Sequence, residues 1–206
     1  MNAEPRPIVV VASSNRGKAT ELAALLGEAR VQLAPLPDEG IALLPEEGDD
    51  YAANAREKAC AVAAALGELA LADDSGLEVD ALGGAPGPRS ARWGGEGLDD
   101  VDRTRLLLQE LRNVPAERRG ARFVCYAALA APEGDALVVV GECAGRILGA
   151  PRGESGFGYD PVFQPRGEDR SLAELTSEEK NRISHRGVAL RSLMSELESW
   201  LARRRT

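Results

Sequence analysis

Two aspartates side by side, Asp73 and Asp74, are the first residues whose types suggest chemistry. Adjacent carboxylates repel each other unless they share a cation or a proton. A hard, oxygen-seeking ion is the natural partner, and Glu46 in the loop PEEG could add a third oxygen. With one histidine and three scattered cysteines, a zinc site does not fit. Asp-Asp-Ser-Gly is equally an ordinary turn sequence, and no Asp-x-Asp spacing supports an aspartyl-phosphate.

A second cluster is Ser13-Ser14-Asn15-Arg16-Gly17-Lys18. A strand that ends here and turns into a helix gathers backbone N–H groups, the helix dipole and one ammonium around a point suited to phosphate. This is no Walker A loop, because no glycine lies five residues before Gly17 and Ala19 stands where Ser or Thr is required. Ser, Asn and Gly at a helix start also serve simply as caps. Further on, Lys180, Ser184, His185 and Arg186 place several donors within seven residues. Phe157 and Tyr159, in GESGFGYDPVF, could stack on a base or pack in the core. Arg89 and Arg92, after prolines, could clamp phosphate oxygens or stay in solvent.

The elements that must position these groups follow from pattern. The β-branched run IVVVA predicts a strand, and ATELAALLGEA after Lys18 predicts a helix ending near Gly27. A second helix is expected from about Asp50 to Leu66, with Asn54 and Lys58 four apart on one face. ELALADDSGLEVDAL reads as strand, tight turn and strand, with the acids at the turn. GGAPGPRSAR is too rich in Gly and Pro for regular structure, VDRTRLLLQEL is helical, and RFVCYAALAA with ALVVVGECAG forms a hairpin. Thr176-Ser177-Glu178-Glu179 is a capping box, and Ser184 can cap a longer C-terminal helix. Strands and helices mix without strict alternation, which predicts a mixed α/β sheet with packed helices.

Bulk properties narrow the function. At 206 residues the chain fits one domain spanning 1–206. No apolar stretch is long enough for a membrane span, the N-terminus lacks a leader pattern, and Cys60, Cys125 and Cys143 suit free thiols in a reducing cytosol. A cytoplasmic protein without a membrane partner is the expectation. The net charge of −8 disfavours long nucleic acids, while a small anion held by a few basic residues and a divalent cation is compatible. The closing ARRRT reads as a solvated helix end.

Taken together and in order, SSNRGK, NAREKA, ADDSGLEVDALGGAPGPRSARW, GFGYDPVF and NRISHRGVAL resemble the inosine triphosphate pyrophosphatase family over about residues 8–195. The resemblance implies an α/β protein of two lobes about a long mixed β-sheet flanked by helices, with the active site in the cleft between lobes, and a homodimer as the assembly. It implies hydrolysis of non-standard purine nucleoside triphosphates (ITP, dITP, XTP) to the monophosphate and pyrophosphate with Mg2+. Modified pyrimidine triphosphates, or nucleotide binding without catalysis, are the alternatives.

Carried onto this sequence, the resemblance gives Ser13, Ser14, Asn15, Arg16, Gly17 and Lys18 to the triphosphate. Asp74 activates water, with Lys18 beside the developing charge, and Glu46, Asp73 and Asp74 are metal ligands. Ser75 contacts the nucleotide, Phe157, Gly158, Tyr159 and Asp160 wall the base pocket, and Lys180, His185 and Arg186 complete it. Donors from His185 and Arg186 would favour a 6-oxo purine over adenine. Two details depart from the family pattern: Trp93 stands where Tyr or Phe is expected, and Asp49-Asp50 add acid before the NAREKA helix.

Overall fold

A computed structural model describes residues 7–13, 15–26, 31–37, 44–45, 48–95 and 97–204, without the side chains of Arg16 and Ala23. Ser14 and Glu46 therefore lie outside the described residues. The chain is α/β. Seven strands, β1 (Ile8–Val11), β2 (Gln32–Pro35), β3 (Leu69–Val79), β4 (Pro86–Gly87), β5 (Gly120–Ala130), β6 (Ala136–Ile147) and β7 (Phe163–Pro165), form one sheet. Its order is β2-β1-β3-β5-β6-β7, with β4 on β3. The sheet is mixed: β1 runs parallel to β2 and β3, whereas β4 on β3 and β7 on β6 are antiparallel.

The helices are α1 (Arg16–Leu26), α2 (Tyr51–Leu66), α3 (Asp100–Glu110), α4 (Ser177–Ile183) and α5 (His185–Arg203). Their starts are fixed by side chains that take up otherwise unpaired N–H groups. Asn15 Oδ1 accepts from Lys18 N–H at 3.1 Å, Asp50 Oδ1 from Ala53 at 3.0 Å, and Asp99 Oδ1 from Asp102 at 2.8 Å. Thr176 and Glu179 form the expected capping box on α4, and Ser184 Oγ accepts from Gly187 N–H at 3.1 Å to start α5.

Contacts divide the chain into two compact units: Met1–Asp74, Tyr126–Gly141 and Ala189–Thr206 in the first, Ser75–Cys125 and Glu142–Val188 in the second. In the first, alternation along the strands sorts the core. Val10, Ala70, Ala72, Ala128 and Ala130 meet Ala55, Ala59, Val62 and Ala63 of α2, so small residues on both sides let the helix lie close. The intervening residues Val9, Leu71 and Leu129 gather instead with Leu26 of α1 and with Leu193 and Leu197 of α5. The core of the second unit is larger in residue size, with Leu77, Val79, Leu107, Leu111, Phe123, Ile147, Tyr159, Phe163 and Leu172 all buried.

Three expectations change. GGAPGPRSAR is not free of regular structure: Pro86–Gly87 pairs with β3 as β4, and Ser90–Arg92 forms a 3-10 turn. Asp73 and Asp74 do not occupy a turn: Leu69–Val79 is one unbroken strand and both acids are 2% exposed within it. Local turn preference yields to pairing and burial because the carboxylates find cationic partners inside. Nor is the basic C-terminus wholly solvated. Arg204 lies over the Trp200 ring, 4.7 Å from its centroid, and pairs with Glu133 and Asp135 at the β5–β6 turn, while Arg203 is exposed.

Candidate active site

The first unit carries the acids. Successive side chains of a strand point to opposite faces, so Asp74 shares the face of Ala70 and Ala72, under α2, and Asp73 shares that of Leu71. Each meets a lysine from a different helix. Lys18 Nζ, in the first turn of α1, lies 3.5 Å from Asp73 Oδ2, with the lysine side chain 16% exposed and the carboxylate fully buried. Lys58 Nζ, on α2, lies 3.8 Å from Asp74 Oδ1, both nearly enclosed.

Asn54, one turn before Lys58 on the same helical face, donates from Nδ2 to Asp74 Oδ2 at 2.7 Å. Its amide also donates to Gly48 O at 3.0 Å and accepts from Gly48 N–H at 2.8 Å. The loop just after Glu46-Glu47 is thus tied to the residue that orients Asp74. Sequence reasoning puts Asn54 and Lys58 on one face without assigning them to the site. Their i, i+4 spacing, in a helix otherwise lined with alanine, is the available signal.

Beside these, Ser13 Oγ accepts from Asn15 N–H at 3.2 Å and donates to Asn15 O at 3.4 Å. Asn15 in turn caps α1. The SSNRGK segment therefore does act as a helix start, which leaves the first N–H groups of α1 and the Lys18 ammonium at a single helix end.

The second unit holds the aromatic and basic cluster. Asp160, 3% exposed, is its hub: Oδ2 accepts from Phe157 N–H at 2.9 Å and from Lys180 Nζ at 2.6 Å. A side chain at Gly156, whose φ is +78°, would overlap the Asp160 carboxylate, so glycine is required there for both conformation and space. The Phe157 ring has Lys180 Nζ 5.0 Å and Arg186 Cζ 5.2 Å from its centroid, within range of cation–π attraction. His185 opens α5, 3% exposed, and stacks on Phe123 with rings 4.7 Å apart and 10° from parallel.

Tyr159 takes the core alternative. It is 5% exposed within the apolar cluster, and its hydroxyl donates to Ser90 O at 3.0 Å. Burial raises its pKa. The neighbouring Cys143 thiol is pushed up to about 11, by burial first and then by the Asp160 carboxylate, which makes it an inert core residue. Ser75 follows Asp74 on β3 and is half-buried, while Arg89 and Arg92 are exposed around the turn Ser90–Arg92.

Two regions of opposite character are therefore built: carboxylates and ammonium groups on β3, α1 and α2, and an aromatic ring framed by cations in the second unit. The first suits phosphate and hard-cation chemistry, the second a planar, oxygen-rich ring. Among the described residues no three His, Cys, Asp or Glu side chains converge as a metal site, and no helix is long and apolar enough to cross a membrane.

Comparison with known proteins identifies the family. Residues 9–196 match the model of the Ham1 family. A dITP/XTP pyrophosphatase of Streptomyces coelicolor is 49% identical over 189 residues, covering 90% of this chain and 94% of the relative. A solved HAM1 protein from Coxiella burnetii superposes with a TM-score of 0.81 at 37% identity, over 94% of this chain and 99% of that one. A nucleoside-triphosphatase / dITP/XTP pyrophosphatase from Mycobacterium abscessus gives 0.71 at 47% identity, over 91% and 98%.

Proposed function

This chain belongs to the Ham1 family, and we propose that it hydrolyses non-standard purine nucleoside triphosphates, dITP and XTP among them, to the monophosphate and pyrophosphate. The observation that carries the reading is the Asp74 carboxylate, buried on β3 and held by Asn54 and Lys58 on one helical face.

A buried carboxylate oriented by an amide is suited to take a proton from water as that water attacks the α-phosphorus. The bond that breaks joins that phosphorus to the bridging oxygen, and pyrophosphate departs with the charge. Lys18, partly exposed in the first turn of α1, would meet that charge, and the Ser13–Lys18 segment would hold the triphosphate. Asp73 holds the Lys18 ammonium in place.

The oxygen donors on this face fit a hard divalent cation. Gly48, two residues beyond Glu46, shares Asn54 with Asp74. Asp74 and Glu46 would supply the protein oxygens, and Asp73 would add charge from the other face of β3. Magnesium, which needs only one or two carboxylates besides waters and phosphate oxygens, would there neutralise the triphosphate and the leaving pyrophosphate.

The base falls to the second unit. Phe157 offers a ring face, and Lys180, His185 and Arg186 are donors that match a 6-oxo purine and leave adenine's amino group unsatisfied. Gly158, Tyr159 and Asp160 shape this wall, Asp160 through its carboxylate on Phe157 N–H and Lys180, and Ser75 would contact the nucleotide. A cytoplasmic homodimer is the form in which we expect the protein to work, and sedimentation of the purified protein measures the assembly.

Pyrophosphate release with magnesium and ITP, dITP, XTP, GTP or ATP tests the reading, with the nucleotide product identified. Release from the first three with monophosphate as product, and slow release from ATP, is expected. Nucleoside diphosphate and inorganic phosphate as products would refute it.

A further inference from the structure

The Phe157–Asp160 loop is gripped from outside by α3, a helix that carries none of the catalytic or base-binding groups. Gly158 is the point of attachment. Its φ is +61°, and beyond its two chain neighbours no residue comes within 4 Å of where a Cβ would sit. The glycine therefore answers to backbone conformation and not to crowding. Both polar groups of this residue's backbone are taken by α3: Gly158 N–H donates to Asp100 Oδ2 at 2.8 Å, and Thr104 Oγ1 donates to Gly158 O at 3.3 Å.

Asp100 and Thr104 are four apart and stand above one another on one helical face. On the inner side, Asp160 takes the N–H of Phe157 and the hydroxyl of Tyr159 reaches Ser90 O. The peptide units on either side of Phe157, whose ring sits by Lys180 and Arg186, are thus fixed from two directions.

Nothing in helix formation demands this arrangement. Asp99 already caps α3 through Asp102 N–H, so Asp100 is not needed as the cap. Thr104 is a poor helix former and 5% exposed, yet its hydroxyl leaves the helix to reach Gly158. A cavity of about 570 Å³ runs alongside, with Asp100, Thr104, Phe157 and Gly158 among its walls. The loop thus has open space on this side, where the two bonds to α3 hold it.

We propose that Asp100 and Thr104 are positioning residues for base selection, acting through Gly158 to hold Phe157 at the angle the purine requires. The inference rests on the reading of the Phe157–Asp160 loop as the base wall. Neither residue touches substrate. Their loss loosens recognition of the base while the phosphate chemistry on β3 proceeds.

Steady-state kinetics with ITP and ATP tests this in Asp100→Ala, Thr104→Val and the double variant, with Phe157→Ala as control. The Asp100 bond is exposed and the Thr104 bond part-buried, so we expect about threefold per single variant and about tenfold for the double in kcat/KM for ITP. The change should be carried by KM, and the ITP-to-ATP ratio should fall by a similar factor. Asp100→Asn, which keeps an acceptor, and Thr104→Ser, which keeps the hydroxyl, should restore the ratio even if melting temperature shifts. An unchanged ratio in Thr104→Val and the double, with a lowered ratio in Phe157→Ala, would overturn the bracing role and leave the base wall standing. An unchanged ratio in Phe157→Ala as well would remove the base wall and this inference with it. A fall in kcat alone would also overturn it.

Discussion

The acid region on β3 and the loop around Phe157 solve opposite problems of precision. On β3 the backbone is regular, and accuracy comes from pairing buried charges: each aspartate sits on its own face and pairs with a lysine. Around Phe157 the backbone is irregular, with Gly156 and Gly158 at positive φ, and accuracy comes from side chains that grip peptide groups. A strand can hold charge because the sheet supplies rigidity at no cost in side chains. A loop must recruit Asp100, Thr104 and Asp160 for the same purpose. On the proposed reading, the catalytic groups sit on the stiff part of the molecule, and selectivity on the part whose shape depends on few bonds.

The largest effect that should sharpen this contrast is Asp74→Asn. Shape and the Asn54 contact are nearly kept, and turnover of ITP should fall by about 10²–10⁴ with its dissociation constant little altered, as expected when a general base is lost. Turnover kinetics beside equilibrium binding checks it. Next in size is Lys58→Met, which breaks the buried Lys58–Asp74 pair from one side. Denaturant unfolding should show a loss of about 3–5 kcal/mol, the usual result of breaking a buried pair from one side.

Gly156→Ala attacks the loop side. The added methyl forces Asp160 away from Phe157 N–H, at a positive φ that alanine tolerates poorly. KM for ITP should rise about tenfold while melting shifts by only a few degrees, as local loop strain of about 1–3 kcal/mol would give.

The smallest effect concerns Glu179, which closes the capping box of α4. Thr176 N–H and Arg170 hold its carboxyl down, at about 2 from the usual 4.5. A depressed carboxyl stabilises the fold above its unfolded pKa and loses that contribution as pH falls through its folded value. Glu179→Gln should therefore be less stable than the parent at about pH 6, and the two should converge as pH approaches about 2, which urea unfolding at several pH values measures.

Much of the fold is legible in local sequence pattern. The apolar β-branched run, the alanine-rich helix and the two capping signals near Thr176 and Ser184 each become the element they imply. The expected turn at Asp73-Asp74 fails for a non-local reason. Lysines of α1 and α2, 55 and 16 residues away in sequence from their partners, help to bury those acids inside a strand. Asp100 and Thr104 leave no mark at all, because a helix reaching out to a glycine 58 residues later has no sequence period. Tyr159 is ambiguous in sequence between base and core, and the hydroxyl bond to Ser90 O decides for the core.

The division between chemistry and choice is most directly tested by the ratio of kcat/KM for ITP to that for ATP, measured in the parent, Lys18→Met and Arg186→Met. The account predicts that Lys18→Met depresses both substrates in proportion and leaves the ratio within about twofold, whereas Arg186→Met lowers the ratio by about tenfold or more as a base donor is lost. A ratio that collapses in Lys18→Met, or survives in Arg186→Met, would contradict it.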